Sequence, residues 1–355
     1  MNWNMVFENP EVVLSFISNA IPGFEPTGKL EELAGGNLNH VWRVFGDGQS
    51  FVVKHAPPYI AKAPDIPISP QRILIEAAAL RLFEKPPLNG IVSDRLRPPR
   101  LIYADEKKHA IILEDLGNLP SLDISGALGQ NLGAELGAFI GKLHRFTYQN
   151  KAVAEAINNR PIQETRLDVQ YSRIGPLLKD FGISNWAKLG HRAQKLGEKY
   201  LAKGKCLIMG DLWPRSVLIG PKAGQARVID WEFAHYGRPA QDVAHFLAHL
   251  WMLQHQVVSE GRKREFGRLQ DAFLSSYLAA TGPERALLFD EEETEGAAIH
   301  FGAEILARTI GSFQAGYLYE GLGHDHPKIK EALEVAVRYL GAGVKGLTSF
   351  PRGSS

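Results

Sequence analysis

The sequence has very little cysteine and no long apolar run. Its 355 residues include one cysteine, Cys206, so no disulfide bond can form within the chain. Cys206 lies in a short apolar run, which indicates a buried thiol rather than a reactive one. No apolar run reaches membrane-spanning length, and residues 1–10 lack the basic start and apolar core of a signal peptide. We therefore expect a cytoplasmic protein that has no membrane partner.

The sequence also lacks an excess of charge of either sign. Its 40 lysines and arginines nearly balance its 39 aspartates and glutamates. No strong field favours nucleic acid as a partner. The apolar fraction of 45% is ordinary for a globular protein, and the length allows two domains with separate cores.

The most informative part of the sequence is a set of three short apolar runs, each typical of a β-strand. They cover residues 206–208, 217–219 and 226–229. If these runs pair into one small sheet, Asp211, Ser216 and Asp230 meet at its rim. Protein kinases place a catalytic-loop aspartate five residues before a metal-binding polar residue, and a second metal-binding aspartate after another short strand. The spacing of Asp211, Ser216 and Asp230 therefore predicts a phosphoryl-transfer site.

Each of these side chains has a chemical role in that interpretation. Asp211 would accept the proton of a substrate hydroxyl as the hydroxyl attacks the γ-phosphate of ATP. Asp230 would bind Mg²⁺, which prefers oxygen ligands, and Glu232 would reach a second metal ion from the same face of an extended segment. Ser216 stands where a kinase usually has Asn and would contact the metal through water. The alternative is that both aspartates only satisfy the backbone of turns.

A glycine-rich turn between two predicted strands indicates a phosphate-binding loop. The strands cover residues 30–33 and 40–45, and the turn contains the predicted nucleotide-binding residues Gly35, Gly36, Asn37 and Asn39. Adjacent glycines let the backbone amides approach phosphate oxygens closely. A plain hairpin is the common alternative for such a turn.

A third predicted strand, residues 51–54, ends in a lysine. Alternation places Val52 and Lys54 on one face, so Val52 would lie against adenine and the Lys54 ammonium would reach the α and β phosphates. In the predicted helix 71–83, Glu76 lies on the apolar stripe, where a carboxylate needs a partner. We expect Lys54 and Glu76 to pair as they do in kinases, the alternative being a Glu76 exposed at the edge of the stripe.

The next segment predicts a hinge followed by helices. Strands at 101–104 and 109–113 lead into the acidic connector 114–118, where backbone groups near Glu114 and Leu116 would bind the adenine edge. Helices are predicted after the connector at residues 131–144, 168–180, 185–201, 240–255, 265–280, 292–316 and 327–340. Glycines at every fourth position of the first of these helices indicate close helix packing. Asp242 is expected to cap its helix, and the histidines that follow it are expected to be core or surface residues.

These elements together predict an α+β fold of the bilobal protein-kinase type. Residues 1–116 would form a small nucleotide-binding lobe with an antiparallel sheet. Residues 117–347 would form a larger, mainly helical lobe that carries the catalytic and substrate-binding side chains. Residues 348–355 are predicted to be a flexible tail.

The order of the glycine-rich turn, Lys54, Glu76, the hinge and the two aspartates resembles the aminoglycoside phosphotransferase and choline kinase superfamily. Five segments are similar to 5-methylthioribose kinases: residues 36–39, 53–59, the helix with Glu76, 230–237 and 307–311. The resemblance implies ATP and Mg²⁺ as cofactors, Asp211 as the base, Asp230 and Glu232 as metal ligands, and a small substrate with a hydroxyl group. It also implies a homodimer.

The sequence departs from methylthioribose kinases at the substrate side. Met209 and Trp213 stand where that family has histidines, and Ala307 with Arg308 stands where it has paired arginines. We expect Trp213 and Arg308 to contact the substrate beside Asp211, with Trp213 favouring a flatter or more apolar acceptor. Arg308 pairing with Glu304 on the helix surface is the alternative.

Three functions are consistent with these residues. The first is a small-molecule kinase related to methylthioribose kinase with an altered acceptor. The second is an antibiotic or choline-type phosphotransferase, which a strongly acidic substrate pocket would favour. The third is a non-catalytic nucleotide-binding protein, which the replacements at Met209 and Ser216 would allow.

Overall fold

Alternating apolar residues in the N-terminal part form a small antiparallel sheet. The structure is a computed structural model and describes residues 7–33, 36, 38–126, 128–222, 224–342 and 349–353. The elements of this part are α1 (Pro10–Ala20), β1 (Pro26–Glu32), β2 (His40–Gly46), β3 (Ser50–His55), β4 (Tyr59–Ile60), β5 (Ala63–Pro67), α2 (Arg72–Leu82), β6 (Leu96–Arg97), β7 (Leu101–Asp105) and β8 (Ala110–Glu114). The sheet has the order β1-β2-β3-β8-β7, with every pairing antiparallel.

β3 shows the alternation that the sequence predicts. Val53 joins an apolar cluster with Val13 and Ile17 of α1 on the outer face of the sheet. Val52 packs on the opposite face, against the core that continues into the helical lobe. Lys54 shares the face of Val52 because side chains alternate along a strand. The lysine therefore points toward the second lobe.

The connector that follows β8 is anchored to the small sheet. Arg43 Nε lies 2.8 Å from an Asp115 carboxylate oxygen, and Arg43 Nη1 donates to Asn118 Oδ1 at 2.6 Å. The Ser50 hydroxyl donates to the same aspartate at 2.7 Å. These contacts hold the predicted hinge against β2 and β3.

The C-terminal lobe is mainly helical. Its elements are α3 (Leu132–Phe146), α4 (Lys151–Ala156), α5 (Arg160–Val169), α6 (Ile174–Asp180), α7 (Trp186–Tyr200), β9 (Cys206–Ile208), β10 (Val217–Ile219), β11 (Ala226–Val228), β12 (His235–Gly237), α8 (Pro239–Gln256), α9 (Glu260–Ala280), α10 (Arg285–Leu288), α11 (Glu291–Thr309) and α12 (Pro327–Ala342). A mixed α+β fold with a sheet-containing first lobe and a helical second lobe is therefore confirmed. Within the described residues, no helix is both long enough and apolar enough to cross a bilayer.

The short strands of this lobe do not form the single sheet that the sequence predicts. β10 pairs with β11, which pairs in parallel with β6, whereas β9 pairs with β12. The prediction that β9, β10 and β11 form one sheet was wrong, because β9 pairs instead with β12, which follows the segment 230–234. The pairing of β9 with β12 therefore links the segment that carries Asp211 to the one that carries Asp230.

The glycines of α3 lie against α9, as predicted. A Cβ atom built at Gly137 would lie 2.1 Å from the carbonyl oxygen of Phe273, and one at Gly133 would lie 2.4 Å from that of Leu269. No side chain fits at either distance. The glycine spacing therefore allows the two helix backbones to touch.

Three predicted segments differ from the structure. The predicted helix 168–180 is broken between α5 and α6, and Pro176 lies in the first turn of α6, where its missing N–H costs no helical hydrogen bond. The predicted helix 292–316 ends at Thr309, where the N–H of Gly311 turns back to the Leu306 carbonyl at 2.9 Å. In the predicted flexible tail, Phe350 is buried against Phe301 and Tyr339, so residues 349–353 pack on the helical lobe.

Candidate active site

Lys54 lies among carboxylates from both lobes. Its ammonium nitrogen is 2.7 Å from Glu76 Oε2 and 2.8 Å from Asp230 Oδ1. Burial by itself would lower the pKa of Lys54, but the carboxylates of Asp230, Glu76 and Glu232 raise that pKa well above its usual value. The lysine is therefore charged, and its predicted pairing with Glu76 is present because β3 and α2 meet at this point.

Asp230 follows β11 in an unusual backbone conformation. Its φ is 64°, in the left-handed region that non-glycine residues rarely adopt and that Asp and Asn tolerate best. One carboxylate oxygen contacts Lys54, and 45% of the side chain remains exposed. An accessible carboxylate beside a charged lysine offers the oxygen ligand that a hard divalent cation prefers.

Glu232, the second predicted metal ligand, has other partners. Its Oε1 accepts a hydrogen bond from Asn39 Nδ2 at 2.7 Å, and its Oε2 lies 3.0 Å from Arg72 Nε. Arg72 also donates to the backbone carbonyl of Leu38 at 2.8 Å. Both carboxylate oxygens of Glu232 are thus engaged in holding α2 and the glycine-rich turn against the segment that follows Asp230.

The glycine-rich turn is only partly covered by the structure. Gly35 and Asn37 lie outside the described residues. Among the described residues, an added Cβ at Gly36 would meet only Val41 within 4 Å, at 3.9 Å. Asn39 turns its amide to Glu232 and therefore contributes to the anchoring of the turn.

The predicted hinge contacts are divided between two residues. The N–H of Glu114 donates to the Arg100 carbonyl at 3.0 Å, and its side chain pairs with Arg97. Because it already has an acceptor within the small lobe, the Glu114 N–H is not available to bind adenine. The N–H of Leu116 has no acceptor in the part of the chain that the structure describes, so it remains suited to bind the edge of a base.

The loop before Asp211 is held by a buried aspartate. Asp242 accepts hydrogen bonds from the N–H of Met209 and the N–H of Gly210, both at 2.8 Å, and contacts His144 at 3.2 Å. The prediction that Asp242 caps its helix was wrong, because its side chain reaches across to this loop. Gly210 has a φ of 82°, and an added Cβ would lie 2.3 Å from the Phe233 carbonyl. Only glycine allows the loop to approach the segment after Asp230 this closely.

Asp211 lies next to two cationic or polar groups from the helices. Arg166 Nη2 of α5 is 2.9 Å from Asp211 Oδ1, and His245 Nε2 of α8 is 3.3 Å from the same oxygen. Burial by itself would raise the pKa of Asp211, but His245, Arg166 and Arg308 hold it well below its usual range. The carboxylate is therefore charged. The Arg166 guanidinium also lies 5.6 Å from the Phe233 ring centre, which places it between the two aspartate-bearing segments.

Ser216 is fully buried and closes a turn. Its hydroxyl donates to the Trp213 carbonyl at 2.8 Å and accepts from the Trp213 N–H at 3.1 Å. The hydroxyl is engaged by the backbone, so the structure does not support its predicted place among the metal ligands.

Trp213 and Arg308, the predicted substrate-binding residues, lie together. The Arg308 guanidinium is 4.8 Å from the Trp213 ring centre and 5.6 Å from that of Tyr317. Arg308 Nε also donates to Glu304 Oε1 at 2.8 Å. The alternative pairing of Arg308 with Glu304 is therefore present, but Glu304 is only 2% exposed and the pair is not a surface interaction.

Sequence reasoning missed several residues that shape this site. They are Arg72, Arg166, His245 and Glu304. Each lies on a helix and has at least one partner far along the chain, and helical periodicity does not reveal which distant group a polar residue meets. Only Glu304 carried a local signal, since it precedes Arg308 by four positions.

Comparison with known proteins agrees with this geometry. A family model described as a phosphotransferase enzyme family matches residues 29–289. A 4-hydroxytryptamine kinase of Psilocybe cyanescens is 26% identical over 75% of this chain and 78% of its own length. A methylthioribose kinase of Exiguobacterium sibiricum is 26% identical over 81% of both chains.

A solved structure shares the fold at lower identity. An amicoumacin kinase in complex with AMP-PNP and Ca²⁺ aligns with a TM-score of 0.56 and 14% identity, over 97% of this chain and 96% of that one. The resemblance drawn from the sequence is thus confirmed at the level of the superfamily. Because the family model covers most of the chain, this protein belongs to the phosphotransferase enzyme family and is an enzyme that phosphorylates hydroxyl groups of small molecules.

Proposed function

We propose that this enzyme transfers the γ-phosphate of ATP to a hydroxyl of a small, flat acceptor. The observation that carries the proposal is the contact of Lys54 with Glu76 of its own lobe and with Asp230 of the other lobe, together with a charged Asp211 on the loop after β9. This arrangement would supply a phosphate-binding cation, a metal-binding carboxylate and a base to one site.

The small lobe would bind the nucleotide. Lys54 would contact the α and β phosphates, held in place by Glu76, and Val52 would pack against adenine from the same face of β3. The N–H of Leu116 would donate to the adenine edge. Gly36, which has no side chain, would let the turn approach the phosphates.

Asp230 would hold Mg²⁺ through its accessible carboxylate. A bound divalent cation would neutralise phosphate charge and help to orient the phosphates. We assign Glu232 to the anchoring of α2 because Arg72 and Asn39 engage both of its oxygens. We assign Ser216 to the turn that carries Trp213.

Asp211 would accept the proton of the acceptor hydroxyl. Its Oδ1 is already contacted by Arg166 and His245, which leaves Oδ2 as the oxygen to receive the hydroxyl proton. A depressed pKa makes Asp211 a weak base, which suits a late proton transfer in a dissociative phosphoryl transfer.

The surroundings of Asp211 favour a flat acceptor without several positive charges. Trp213 is the partly exposed aromatic side chain two positions after Asp211, and two carboxylates here are matched by arginines: Asp211 by Arg166 and Glu304 by Arg308. Among the residues that the structure describes around Asp211, a polycationic antibiotic would therefore find its carboxylate partners already paired. The similarity to 4-hydroxytryptamine kinases supports an aromatic hydroxyl, while Arg308 and the similarity to methylthioribose kinases support a thiosugar as the second candidate.

A direct assay tests both candidates. ADP formation from Mg·ATP is measured with 4-hydroxytryptamine, methylthioribose, choline and an aminoglycoside in turn, and phosphorylated products are identified by mass spectrometry. We expect acceptor-dependent turnover with one of the first two compounds and its loss in Asp211→Asn, which should still bind ATP. Turnover only with choline or the aminoglycoside would contradict the assigned acceptor class. Tight ATP binding without transfer to any compound, or full activity of Asp211→Asn, would contradict the mechanism.

A further inference from the structure

A buried polar cluster lies behind the acceptor side of the site. Helix α8 contributes His245 and His249, and helix α11 contributes His300 and Glu304, all of them at most 2% exposed. Buried polar groups are costly unless they are hydrogen-bonded, so a connected set of them calls for an explanation. The cluster touches Asp211 at one end and Arg308 at the other.

Glu304 is the charged centre of this cluster. Its Oε1 accepts from Arg308 Nε at 2.8 Å and lies 3.0 Å from His249 Nε2. Its Oε2 accepts from Gln170 at 2.7 Å and lies 3.4 Å from His245 Nδ1. Burial by itself would raise the pKa of Glu304, but His245, Arg308 and His249 hold it well below its usual value. Glu304 is therefore an anion, and it holds the Arg308 side chain through the Nε–Oε1 hydrogen bond.

The hydrogen bonds of His300 and His245 bear on which ring nitrogen of His245 carries a proton. Burial lowers the pKa of His300 well below its usual value, so this ring is neutral. The Tyr171 hydroxyl lies 2.6 Å from His300 Nδ1, and His300 Nε2 lies 3.2 Å from His245 Nδ1. If Tyr171 donates to His300 and His300 donates to His245, the remaining proton of His245 is on Nε2, which faces Asp211.

Arg166 donates to one oxygen of the base, and His245 Nε2 lies close to the same oxygen without hydrogen-bond geometry. Arg166 Nη2 and His245 Nε2 both approach Asp211 Oδ1, at 2.9 and 3.3 Å. Both contacts are to Oδ1, so they restrict the rotation of the carboxylate and leave Oδ2 as the oxygen that would face the acceptor. A base must lie within hydrogen-bond reach of its proton, and small rotations of a carboxylate remove that reach.

We propose that His245 and Glu304 are positioning residues that connect the acceptor-side arginine, Arg308, to the base, Asp211. This inference rests on the proposed function, because the proposed function assigns Asp211 as the base and Arg308 to the acceptor. His245 holds its proton at Nε2 and aims the carboxylate. Glu304 holds Arg308 through Oε1, which His249 also contacts, so that the acceptor side of the site keeps one geometry.

Steady-state kinetics of four variants tests the connection, using the acceptor that the wild-type enzyme phosphorylates. In His245→Leu, we expect kcat to fall roughly 10- to 100-fold, a part of the contribution of a positioned base, with little change in the KM for ATP. His245→Gln should recover most of that loss, since its amide can place an N–H near the position of Nε2. Glu304→Gln should both raise the KM for the acceptor and lower kcat.

His249→Gln is the matched control. His249 is as deeply buried, lies on the same helix and contacts Glu304, but it does not contact Asp211. We expect this variant to raise the KM for the acceptor while kcat is largely retained. Thermal melting and the affinity for Mg·ADP check that each variant is folded.

The outcomes separate the connection from the proposed function. If the wild-type enzyme turns over normally and folded His245→Leu retains kcat within about twofold, the connection is wrong and the proposed function stands. The same conclusion follows if His245→Gln is no better than His245→Leu, or if His249→Gln lowers kcat equally. Nitrogen NMR of labelled histidines in the full chain tests the connection without turnover: a His245 ring protonated on Nδ1 alone would overturn it, and one protonated on Nε2 would support it.

Discussion

Lys54 Nζ lies 2.7 Å from Glu76 and 2.8 Å from Asp230, so one ammonium group joins the small lobe to the segment that follows β11. The first contact lies within the small lobe and the second crosses to the helical lobe. A bound nucleotide would compete for the same ammonium group. The contact with Asp230 is the one that phosphates and a divalent cation would replace, because Asp230 is much more exposed than Glu76.

Replacement of Lys54 by Met should abolish productive nucleotide binding. The change removes the phosphate-binding cation and leaves Glu76 buried without its partner. We expect kcat/KM for ATP to fall at least 100-fold, with a lower melting temperature. Both quantities are measured on the purified variant. Lys107→Ala, in the exposed turn between β7 and β8, is the control and should change neither quantity.

Replacement of Asp230 by Asn should weaken metal-dependent nucleotide binding more than folding. The amide keeps the size of the side chain but removes the anionic oxygen that a divalent cation prefers. We expect the affinity for Mg·ADP to fall at least tenfold, and the affinity for ADP with EDTA to stay within about threefold. Calorimetric titration in both buffers measures the difference. An equal loss with and without magnesium would show that Asp230 acts on the nucleotide rather than on the metal.

The part of the site that the sequence predicts depends on short-range patterns. Lys54 and Glu76 were predictable because strand alternation and helix periodicity each assign a face, and two faces that carry opposite buried charges must meet. Asp211 and Asp230 were predictable because each follows a short strand at a spacing typical of kinases. Gly133 and its repeats indicated helix contact for the same local reason.

The rest depends on how distant elements pack. Asp242 looks like a helix cap in sequence, yet it serves the N–H groups of Met209 and Gly210, more than thirty positions earlier. Glu232 shares the face of Asp230 in an extended strand, but the chain turns into a short helix there and Arg72 binds the carboxylate. Neither outcome follows from local periodicity, since both require the position of another helix.

Replacement of Gly137 by Ala should destabilise the helical lobe. The added methyl group would lie 2.1 Å from the Phe273 carbonyl oxygen, so α3 and α9 would have to separate. We expect a loss of about 1–3 kcal/mol in the free energy of unfolding, the typical range of overpacked core substitutions. Urea unfolding measures it. Gly261→Ala is the control in α9, where the nearest atom is 3.7 Å away, and it should be neutral or slightly stabilising because alanine favours helices.

The stability of the fold should fall as the pH is lowered from 6.5 toward 4. Burial lowers the pKa of His55 to about 3, of His249 to about 3 and of His235 to about 4. Below pH 6.5 the unfolded chain therefore binds protons that the folded chain does not. The free energy of unfolding consequently falls as the pH is lowered. His55 lies in the small lobe, stacked on Phe7 at 4.4 Å, where it can be changed without touching the proposed base.

His55→Phe removes one of these titrating histidines, so that its contribution to the pH dependence of stability can be measured. The new ring keeps the stacking on Phe7 and cannot titrate, so the dependence of stability on pH between 6 and 4 should become shallower by at most about 1.4 kcal/mol per pH unit, the value for one proton. Urea unfolding at several pH values, compared with the wild-type chain, measures the slope. An unchanged slope would mean that His55 binds its proton equally well in the folded and unfolded chains. That result would place the ring in contact with water, because only exclusion from water, aided by His40, Arg72 and His109, keeps it neutral.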